Sequence, residues 1–352
     1  ITTDHECFTL EEALDKIAAG IHIIIREGSA AKNFEALHPL LKTHPERIMF
    51  CSDDKHPDDL VLHHINGLVK RALQKGYDLF DVLRAACTNP VAHYNIPVGQ
   101  LRVGDAADFI TINNTESFDV LQTYIGGRLV AEKGRSLLPH VAVTPINNFA
   151  ATHKTPADFA VPAHKTGDSI RVIEAIEGQL VTNELIAAKL VVDGNIVTDI
   201  ANDILKVAVV NRYYPDANVA TAFIKNFGLQ RGAIASTVAH DCHNIIVVGV
   251  DDASICKAVN ALIDCKGGVA VCDGDSIEVM PLPVAGLMTD GDGFEVAAQY
   301  AALDAKAKEL GTELKAPFMT LSFMALLVIP ALKLSDKGLF DGAGFKFTDV
   351  EI

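Results

Sequence analysis

Residues 47–57 read RIMFCSDDKHP, an apolar run that ends on two adjacent carboxylates. Residues 48–51 predict a strand buried on both faces, because the run is continuously apolar rather than alternating. Asp53 and Asp54 follow directly at the carboxyl end of this strand. In parallel α/β folds, and above all in (β/α)8 barrels, the chemistry lies at the carboxyl ends of the strands. The segment therefore predicts a parallel α/β fold with a site where the strand ends.

Polar clusters also end two earlier predicted strands. The cluster TDHE occupies residues 3–6, and Arg26 and Glu27 follow the apolar run IHIII at residues 21–25. Each cluster taken alone has an alternative interpretation as a helix N-cap, where Asp and Ser are common. Because three clusters recur at matching points of successive βα steps, we expect a barrel-mouth site.

The segments between these strands predict helices. Thr9 and Glu12 form a T-x-x-E capping box that begins an amphipathic helix ending at Gly20. A later helix is predicted to run without interruption from Pro57, at the favoured first helical position, to Gly76. Strands that alternate with helices in this way indicate a parallel sheet.

Changes in composition and in hydrophobic pattern divide the chain into four parts. Residues 1–95 predict the last βα units of a TIM-like barrel. Residues 96–143 are short, glycine-punctuated and alternating, which predicts a small antiparallel β-domain, a β-sandwich. Residues 144–167 contain three prolines and predict a linker. Residues 168–352 predict an extra C-terminal α/β domain.

Composition excludes several classes of protein. The 352 residues carry a net charge of −15 without a basic tract, so we expect neither nucleic acid nor an anionic membrane surface as a partner. The longest apolar run, residues 323–331, is too short for a membrane span. Seven Cys without a CxxC pair favour a reducing, cytoplasmic location over a disulfide framework. P-loop, HExxH and GxSxG motifs are absent from the sequence.

The candidate chemistry rests first on His5 and Asp53, which end two predicted barrel strands. An imidazole and a carboxylate together suit Zn, Mn or Fe. A divalent cation would also explain why two acids crowd at one strand end, since a nearby positive charge favours their ionised forms. Asp53 can then serve as a ligand and as a proton acceptor.

The sequence resembles the amidohydrolase superfamily. In that superfamily the chain leaves the last barrel strand and enters a small β-domain through a G-x-L-x-x-G-x-x-A-D segment, which residues 99–108 match. Within the superfamily, the local sequence most resembles that of bacterial-type adenine deaminases. The segments that carry this similarity, from both halves of the chain, are TDHECFTLEEAL, IREGSAAKN, CSDDKHPDDL, STVAHDCHNIIVVG and LLVIPALKLSDKGLFD.

The resemblance implies metal-dependent hydrolytic deamination of adenine to hypoxanthine and ammonia. It assigns His5 as the metal ligand of strand six and Asp53 as the ligand and proton shuttle of strand eight. Glu6 is expected to hold the imidazole as an outer partner, and so to assist catalysis; a solvated acid is the alternative. The donor set contains no thiolate, which favours Mn or Fe and also permits Zn.

The substrate-binding residues implied by the resemblance follow the same strands. Asp54 is expected to contact the purine ring, and a helix-capping carboxylate is its alternative role. Arg26, Glu27 and Ser29 are expected to line the base pocket. A plain salt bridge between neighbouring strands is the alternative for Arg26 and Glu27.

A second candidate site lies far downstream in the segment AHDCHN. His240, Asp241, His243 and Asn244 fall within five residues, after a predicted turn and before the strand IIVVGV. They can bind a metal, reach over the barrel mouth, or hydrogen-bond locally as loop residues commonly do. Their spacing fits no structural zinc pattern.

Part of the expected ligand set is not in this sequence. The superfamily needs an H-x-H on strand one and ligands from strands four and five, and three strands cannot close an eight-stranded barrel. Because the chain begins on Ile1, we expect either upstream residues or completion by another chain. The alternatives to an adenine deaminase are another cyclic-amide hydrolase and a non-catalytic fragment. A homodimer is the default oligomer.

Overall fold

A computed structural model describes residues 1–216 and 218–352. The chain divides into two compact units, Ile1–Ala142 and Val143–Ile352. The described residues include no helix that is both long enough and apolar enough to cross a membrane.

The first unit begins with a parallel sheet of three strands in the order β1, β2, β3. Their bounds are Thr3–Asp4, His22–Arg26 and Ile48–Cys51. Both strand pairs are parallel, with Ile23 opposite Ile48 and Arg26 opposite Cys51. The prediction of parallel strands is confirmed. Since parallel strands end at the same edge of a sheet, the three polar clusters lie at one edge.

Seven short helices and a π-helical turn, Arg84–Thr88, accompany these strands. The helices are α1 (Leu10–Ala18), α2 (Phe34–Leu37), α3 (Leu40–Thr43), α4 (Pro57–Leu60), α5 (Ile65–Gln74), α6 (Leu79–Leu83) and α7 (Asn89–Tyr94). Helices α1 and α2 pack against β2, and α5 and α7 pack against β3. The core combines Ile23, Ile25 and Ile48 from the strands with Phe34 and Leu37 from α2.

Two helix predictions have different outcomes. Thr9 caps α1, because its hydroxyl accepts a hydrogen bond from the Glu12 N–H at 3.2 Å. The Glu12 carboxylate pairs with Lys16 at 2.7 Å. The continuous helix predicted from Pro57 to Gly76 is wrong, since α4 ends at Leu60 and α5 begins at Ile65. Residues 61–62 form a turn between the two helices.

Residues 109–136 form an antiparallel sheet of four strands in sequence order. The strands are β4 (Phe109–Ile112), β5 (Val120–Ile125), β6 (Arg128–Glu132) and β7 (Arg135–Ser136). Asp108 secures this sheet, because its two carboxylate oxygens accept hydrogen bonds from the backbone N–H groups of Gly99 (2.8 Å) and Gly126 (2.7 Å). The prediction of antiparallel pairing in this region is confirmed.

The second unit contains fourteen strands within its described residues. They are β8 (Val161–Pro162), β9 (Ser169–Ala175), β10 (Thr182–Ala188), β11 (Leu190–Val192), β12 (Asn195–Val197), β13 (Leu205–Val210), β14 (Val219–Lys225), β15 (Ala233–Ser236), β16 (Ile245–Gly249), β17 (Gly268–Asp273), β18 (Ser276–Pro281), β19 (Leu332–Ser335), β20 (Gly338–Asp341) and β21 (Lys346–Phe347). Eight of them form the main sheet, in the order β10-β9-β14-β13-β16-β15-β17-β18. Only the β14–β9 pair of this sheet is parallel.

Two three-stranded sheets, β11-β12-β8 and β19-β20-β21, complete the strands of this unit. Its helices are α8 (Asp252–Asp264), α9 (Gly293–Glu309) and α10 (Pro317–Phe323). Helix α8 buries Ile255, Val259 and Leu262 against the main sheet. Mixed α/β structure with several sheets is therefore the class of the whole chain.

The segment predicted as a linker, residues 144–167, packs against the second unit. Phe159 is fully buried in the core under α8, and Phe149 packs beside it. The N–H groups of Ala150 and Ala151 donate to the Arg212 carbonyl at 2.8 and 3.1 Å. Although the segment is rich in proline, its aromatic side chains hold it against the core, since burial of an aromatic ring removes a large apolar surface from water.

Candidate functional site

The guanidinium of Arg26 is the centre of the candidate site. Arg26 is the last residue of β2 and is 1% exposed. Its Nη2 and Nη1 donate to the two carboxylate oxygens of Glu6 at 2.8 and 3.0 Å. Nη1 also donates to Oδ2 of Asp53 at 2.6 Å. Arg26 thus joins an acid that follows β1 to an acid that follows β3.

His5 belongs to the same cluster. Its Nε2 lies 3.2 Å from Oε1 of Glu6, and both side chains are partly exposed. The hydrogen bond to Glu6 raises the pKa of His5 above its ordinary value, and the charge of Asp53 acts in the same direction against the effect of burial. The same contact with His5, together with Arg26, lowers the pKa of Glu6. Glu6 therefore contacts the imidazole, and its role as the outer partner of a metal ligand stays a prediction.

The backbone of Asp53 has φ of 54°, the left-handed region that residues other than glycine seldom adopt. This conformation immediately follows β3 and turns the chain at the sheet edge. Backbone geometry of this kind is concentrated at functional sites, where the surrounding contacts maintain it. The ion pair with Arg26 is one such contact.

The other predicted residues after β2 and β3 make separate contacts. Glu27 pairs with Arg71 of α5 at 2.5 Å. The Ser29 hydroxyl donates to Oδ2 of Asp59 at 2.6 Å, and the Ser29 N–H donates to the Asp54 carbonyl at 2.9 Å. Arg26 forms the salt bridges to neighbouring strand ends that were its alternative, whereas Glu27 pairs with a helix and not with a neighbouring strand. A role of these residues in a base pocket stays a prediction.

Gly28 allows the loops after β2 and β3 to approach each other. A Cβ at this position would lie 2.6 Å from the carbonyl oxygen of Asp54 and 3.2 Å from that of Ser52. Such contacts with backbone atoms leave no room for a side chain. The close approach keeps the segment after Arg26 beside Asp53.

Two residues that hold the candidate site together were not identified from the sequence. Asn33 is 1% exposed and contacts the backbone on both sides of the cluster, and Arg71 neutralises Glu27. Asn33 ends the IREGSAAKN segment that carried the resemblance, which was a local signal. Arg71 lies 44 positions beyond Glu27, so nothing local indicates their pairing.

The donor atoms of this cluster suit a divalent cation in kind, since imidazole nitrogen and carboxylate oxygen are ligands for Mn, Fe and Zn. Their number is smaller than a complete site needs. Among residues 1–216 and 218–352, no three His, Cys, Asp or Glu side chains are grouped so that they could hold an ion. His5 and Asp53 could therefore supply part of a ligand set, with Glu6 as the outer partner of the imidazole.

The AHDCHN segment lies in the second unit, between β15 and β16. The His240 ring stacks on Phe323, with ring centroids 4.7 Å apart, and lies 6.0 Å from the His243 ring. Oδ1 of the buried Asn244 accepts a hydrogen bond from the Arg212 N–H at 3.2 Å. Burial lowers the pKa of His243. These contacts fit the local hydrogen-bonding interpretation, and a metal role for the segment stays a prediction, with Asp241 exposed at its turn.

Comparisons with known proteins match both units. The sequence pattern of the amidohydrolase family matches residues 2–130, and that of the adenine deaminase C-terminal domain matches residues 179–346. Together these ranges include the Arg26 cluster and the AHDCHN segment.

Curated relatives match the chain along almost its whole length. A protein named adenine deaminase from Salinibacter ruber is 53% identical over 350 residues, which cover 99% of this chain and 64% of that protein. Proteins of the same name from a Sulfurovum species and from Methanosarcina acetivorans are 53% and 51% identical, with 99% of this chain and 64% and 65% of each relative covered. The chain thus spans slightly less than two thirds of the length of these relatives.

Proposed function

Because the chain belongs to the amidohydrolase family over residues 2–130 and to the adenine deaminase C-terminal domain family over residues 179–346, we propose that it takes part in the hydrolytic deamination of adenine to hypoxanthine and ammonia. One observation carries the proposal. Arg26 draws the carboxylates of Glu6 and Asp53 together beside His5, at the carboxyl edge of a parallel sheet. This edge is where enzymes of parallel α/β folds place their reacting groups.

The proposed architecture extends the observed sheets. Strands β1, β2 and β3 are the last strands of a (β/α)8 barrel, and residues 96–143 are a small β-domain of the sandwich type. The parallel pairing of the three strands and the antiparallel pairing of β4–β7 support this assignment. Residues 168–352 are the extra C-terminal domain, with residues 144–167 leading into it.

The family implies a divalent metal, and we propose Mn or Fe, with Zn also compatible with the donor set. His5 and Asp53 are the proposed ligands. When bound, such an ion lowers the pKa of water and so makes a nucleophile available near neutral pH. The described residues supply two of the ligands, so the remaining ligands would have to come from elsewhere.

The residues of this chain have separate proposed roles. Asp53 accepts a proton from the attacking water and transfers it to the departing amino group, while Arg26 holds its Oδ2. Glu6 keeps the His5 imidazole oriented through their 3.2 Å contact. Asp54 contacts the purine ring.

Further residues of the proposed base pocket come from the turn after β2. Glu27 and Ser29 lie at its wall, where Arg71 and Asp59 fix their side chains. The proposed partner is a small purine, and a homodimer is the proposed assembly. Seven free cysteines support a reducing, cytoplasmic setting.

A substrate panel tests the proposal directly. The protein, with the residues that supply the remaining ligands present, is incubated with Mn²⁺, Fe²⁺ or Zn²⁺ and with adenine, cytosine, guanine or dihydroorotate, while ammonia release and ring opening are followed. We expect ammonia from adenine alone. Asp53→Asn should abolish that activity, whereas Asp81→Asn, which alters an acid on α6 outside the cluster, should leave it unchanged.

Two outcomes would overturn the proposal. Ring opening of dihydroorotate without ammonia from adenine would support another cyclic-amide hydrolase. A folded chain that binds no divalent ion and turns over no substrate would support a non-catalytic module. Metal content and turnover measured on the same preparation separate these cases.

A further inference from the structure

We propose that Asn33 is a positioning residue that fixes the His5–Glu6 segment against the end of β2, so that Glu6 meets Arg26. The inference deepens the proposed function and rests on it, because it concerns the same cluster. The hydrogen bonds of Asn33 reach Arg26, His5 and Cys7, so its effect on Asp53 passes through these residues.

The side chain of Asn33 connects two chain segments at the sheet edge. Its Oδ1 accepts a hydrogen bond from the Arg26 N–H at 2.8 Å. Its Nδ2 donates to the carbonyls of Cys7 at 3.1 Å and His5 at 3.4 Å. The amide therefore joins the residues after β1 to the last residue of β2.

The backbone of Asn33 strengthens this connection. Its N–H donates to the Arg26 carbonyl at 3.2 Å, so Arg26 is held on both of its backbone polar groups. Asn33 is 1% exposed, and water cannot replace these bonds without opening the cluster. A buried donor or acceptor left without a partner destabilises the fold, so the amide has one favoured placement.

The consequence for the site follows from the geometry. Glu6 lies between His5 and Cys7, whose carbonyls Asn33 binds. With both neighbours fixed, the Glu6 carboxylate can accept two hydrogen bonds from the Arg26 guanidinium, which in turn donates to Asp53. Loss of Asn33 should loosen both His5 and Arg26 without removing either side chain.

A matched control exists at the opposite edge of the same sheet. The Nδ2 of Asn89 also donates to two backbone carbonyls, those of Pro45 at 2.8 Å and Ile48 at 2.7 Å. Ile48 is the first residue of β3, so this crosslink lies at the amino end of the strand. Asn33→Ala and Asn89→Ala remove the same kind of contact at the two ends.

The test compares these variants in the full chain by two measurements. The first is Mn²⁺ affinity, determined from the electron paramagnetic resonance signal of free Mn²⁺. The second is hydrogen exchange of peptides that contain residues 3–8 and 26–33. Both variants should lower the melting temperature. Only Asn33→Ala should weaken Mn²⁺ binding, by roughly 10- to 100-fold as for other outer partners of metal ligands, and speed exchange in both peptides.

Asn33→Asp provides the second variant, because it keeps the shape and replaces the donor by an acceptor that faces two carbonyls. It should weaken Mn²⁺ binding at least as much as Asn33→Ala. Unchanged exchange of residues 3–8 in both Asn33 variants would overturn the inference and leave the proposed function standing. Equal losses of affinity in the Asn33 and Asn89 variants would reduce Asn33 to a general structural role. A parent chain that takes up no divalent ion would count against the proposed function and this inference together.

Discussion

The buried lysine of β19 gives the sharpest prediction from the structure. Lys333 is fully buried, and its Nζ donates to the Leu180 carbonyl at 2.6 Å. Burial lowers the pKa of Lys333 to about 7 from an ordinary value of 10.5. Replacing this side chain with Met, which is apolar and similar in length, should remove the cost of burying the charge.

The sign and size of the effect follow from proton linkage. Between pH 7 and 10.5 the unfolded chain holds one more proton at this position than the folded chain, so the free energy of unfolding rises with pH across this window. Below pH 7 the full cost is present. It is on the order of 5 kcal/mol, since one pKa unit corresponds to about 1.4 kcal/mol.

The substitution Lys333→Met removes the titrating group. It also leaves the Leu180 carbonyl without its donor, which costs about 1–3 kcal/mol. Lys333→Met should therefore be more stable than the parent by about 2–4 kcal/mol at pH 6–7. The parent and the variant should have equal free energies of unfolding at about pH 9, where the remaining cost of burying the charge equals the cost of the unpaired carbonyl. Above this pH the variant should be the less stable of the two.

Urea unfolding from pH 6 to 10, followed by far-UV circular dichroism, measures this difference; the chain has no Trp to serve as a fluorescence probe. Lys206→Met is the matched control. Lys206 is equally buried but donates to Asp252 and to the Phe159 carbonyl, so its loss should destabilise the chain at every pH in the range. A Lys333→Met variant that is less stable than the parent at pH 6–7, or a difference that does not vary with pH, would refute the reasoning.

Three further substitutions test the first unit. Thr9→Ala removes the cap of α1 and should lower the free energy of unfolding by about 1 kcal/mol in urea titrations, whereas Thr9→Ser should retain it. Gly28→Ala places a Cβ 2.6 Å from the Asp54 carbonyl and should cost about 1–3 kcal/mol by the same measurement; a neutral result would show that the two loops are not held together. Asp54→Asn should raise the KM for adenine about tenfold, which corresponds to the loss of one polar contact, and should leave the metal content unchanged. Loss of metal in this variant would instead make Asp54 a ligand.

The fold was predictable where local pattern decides it. Strand β3 has the predicted bounds, because a continuous apolar run between polar residues leaves little choice of ends. Helix α1 begins at the predicted cap, Thr9. The break between α4 and α5 was not predictable from periodicity, since the apolar residues 60–62 continue a helical pattern that the turn at residues 61–62 interrupts.

The candidate site was only partly predictable. The sequence placed His5, Glu6 and Asp53 at strand ends, because predicted strands alternate with predicted helices along this part of the chain. It did not reveal that Arg26 is buried, because arginine is usually exposed and its partners lie 20 and 27 positions away. Long-range pairing of this kind depends on the register of β2 against β3, which no single segment encodes.

Arg26 also accounts for one of the two acids that follow β3, Asp53, and for the acid that follows β1, Glu6. From the sequence, a metal ion was the cation expected beside Asp53, and the structure supplies in addition a guanidinium that binds both Glu6 and Asp53. Two carboxylates and one guanidinium leave a net charge of −1, which still favours a divalent cation beside His5. Because the guanidinium is permanently charged and holds both acids, the cluster can be ordered before any ion binds. Arg26 and the proposed metal would therefore be complementary, because Arg26 sets the positions of Glu6 and Asp53 before an ion binds.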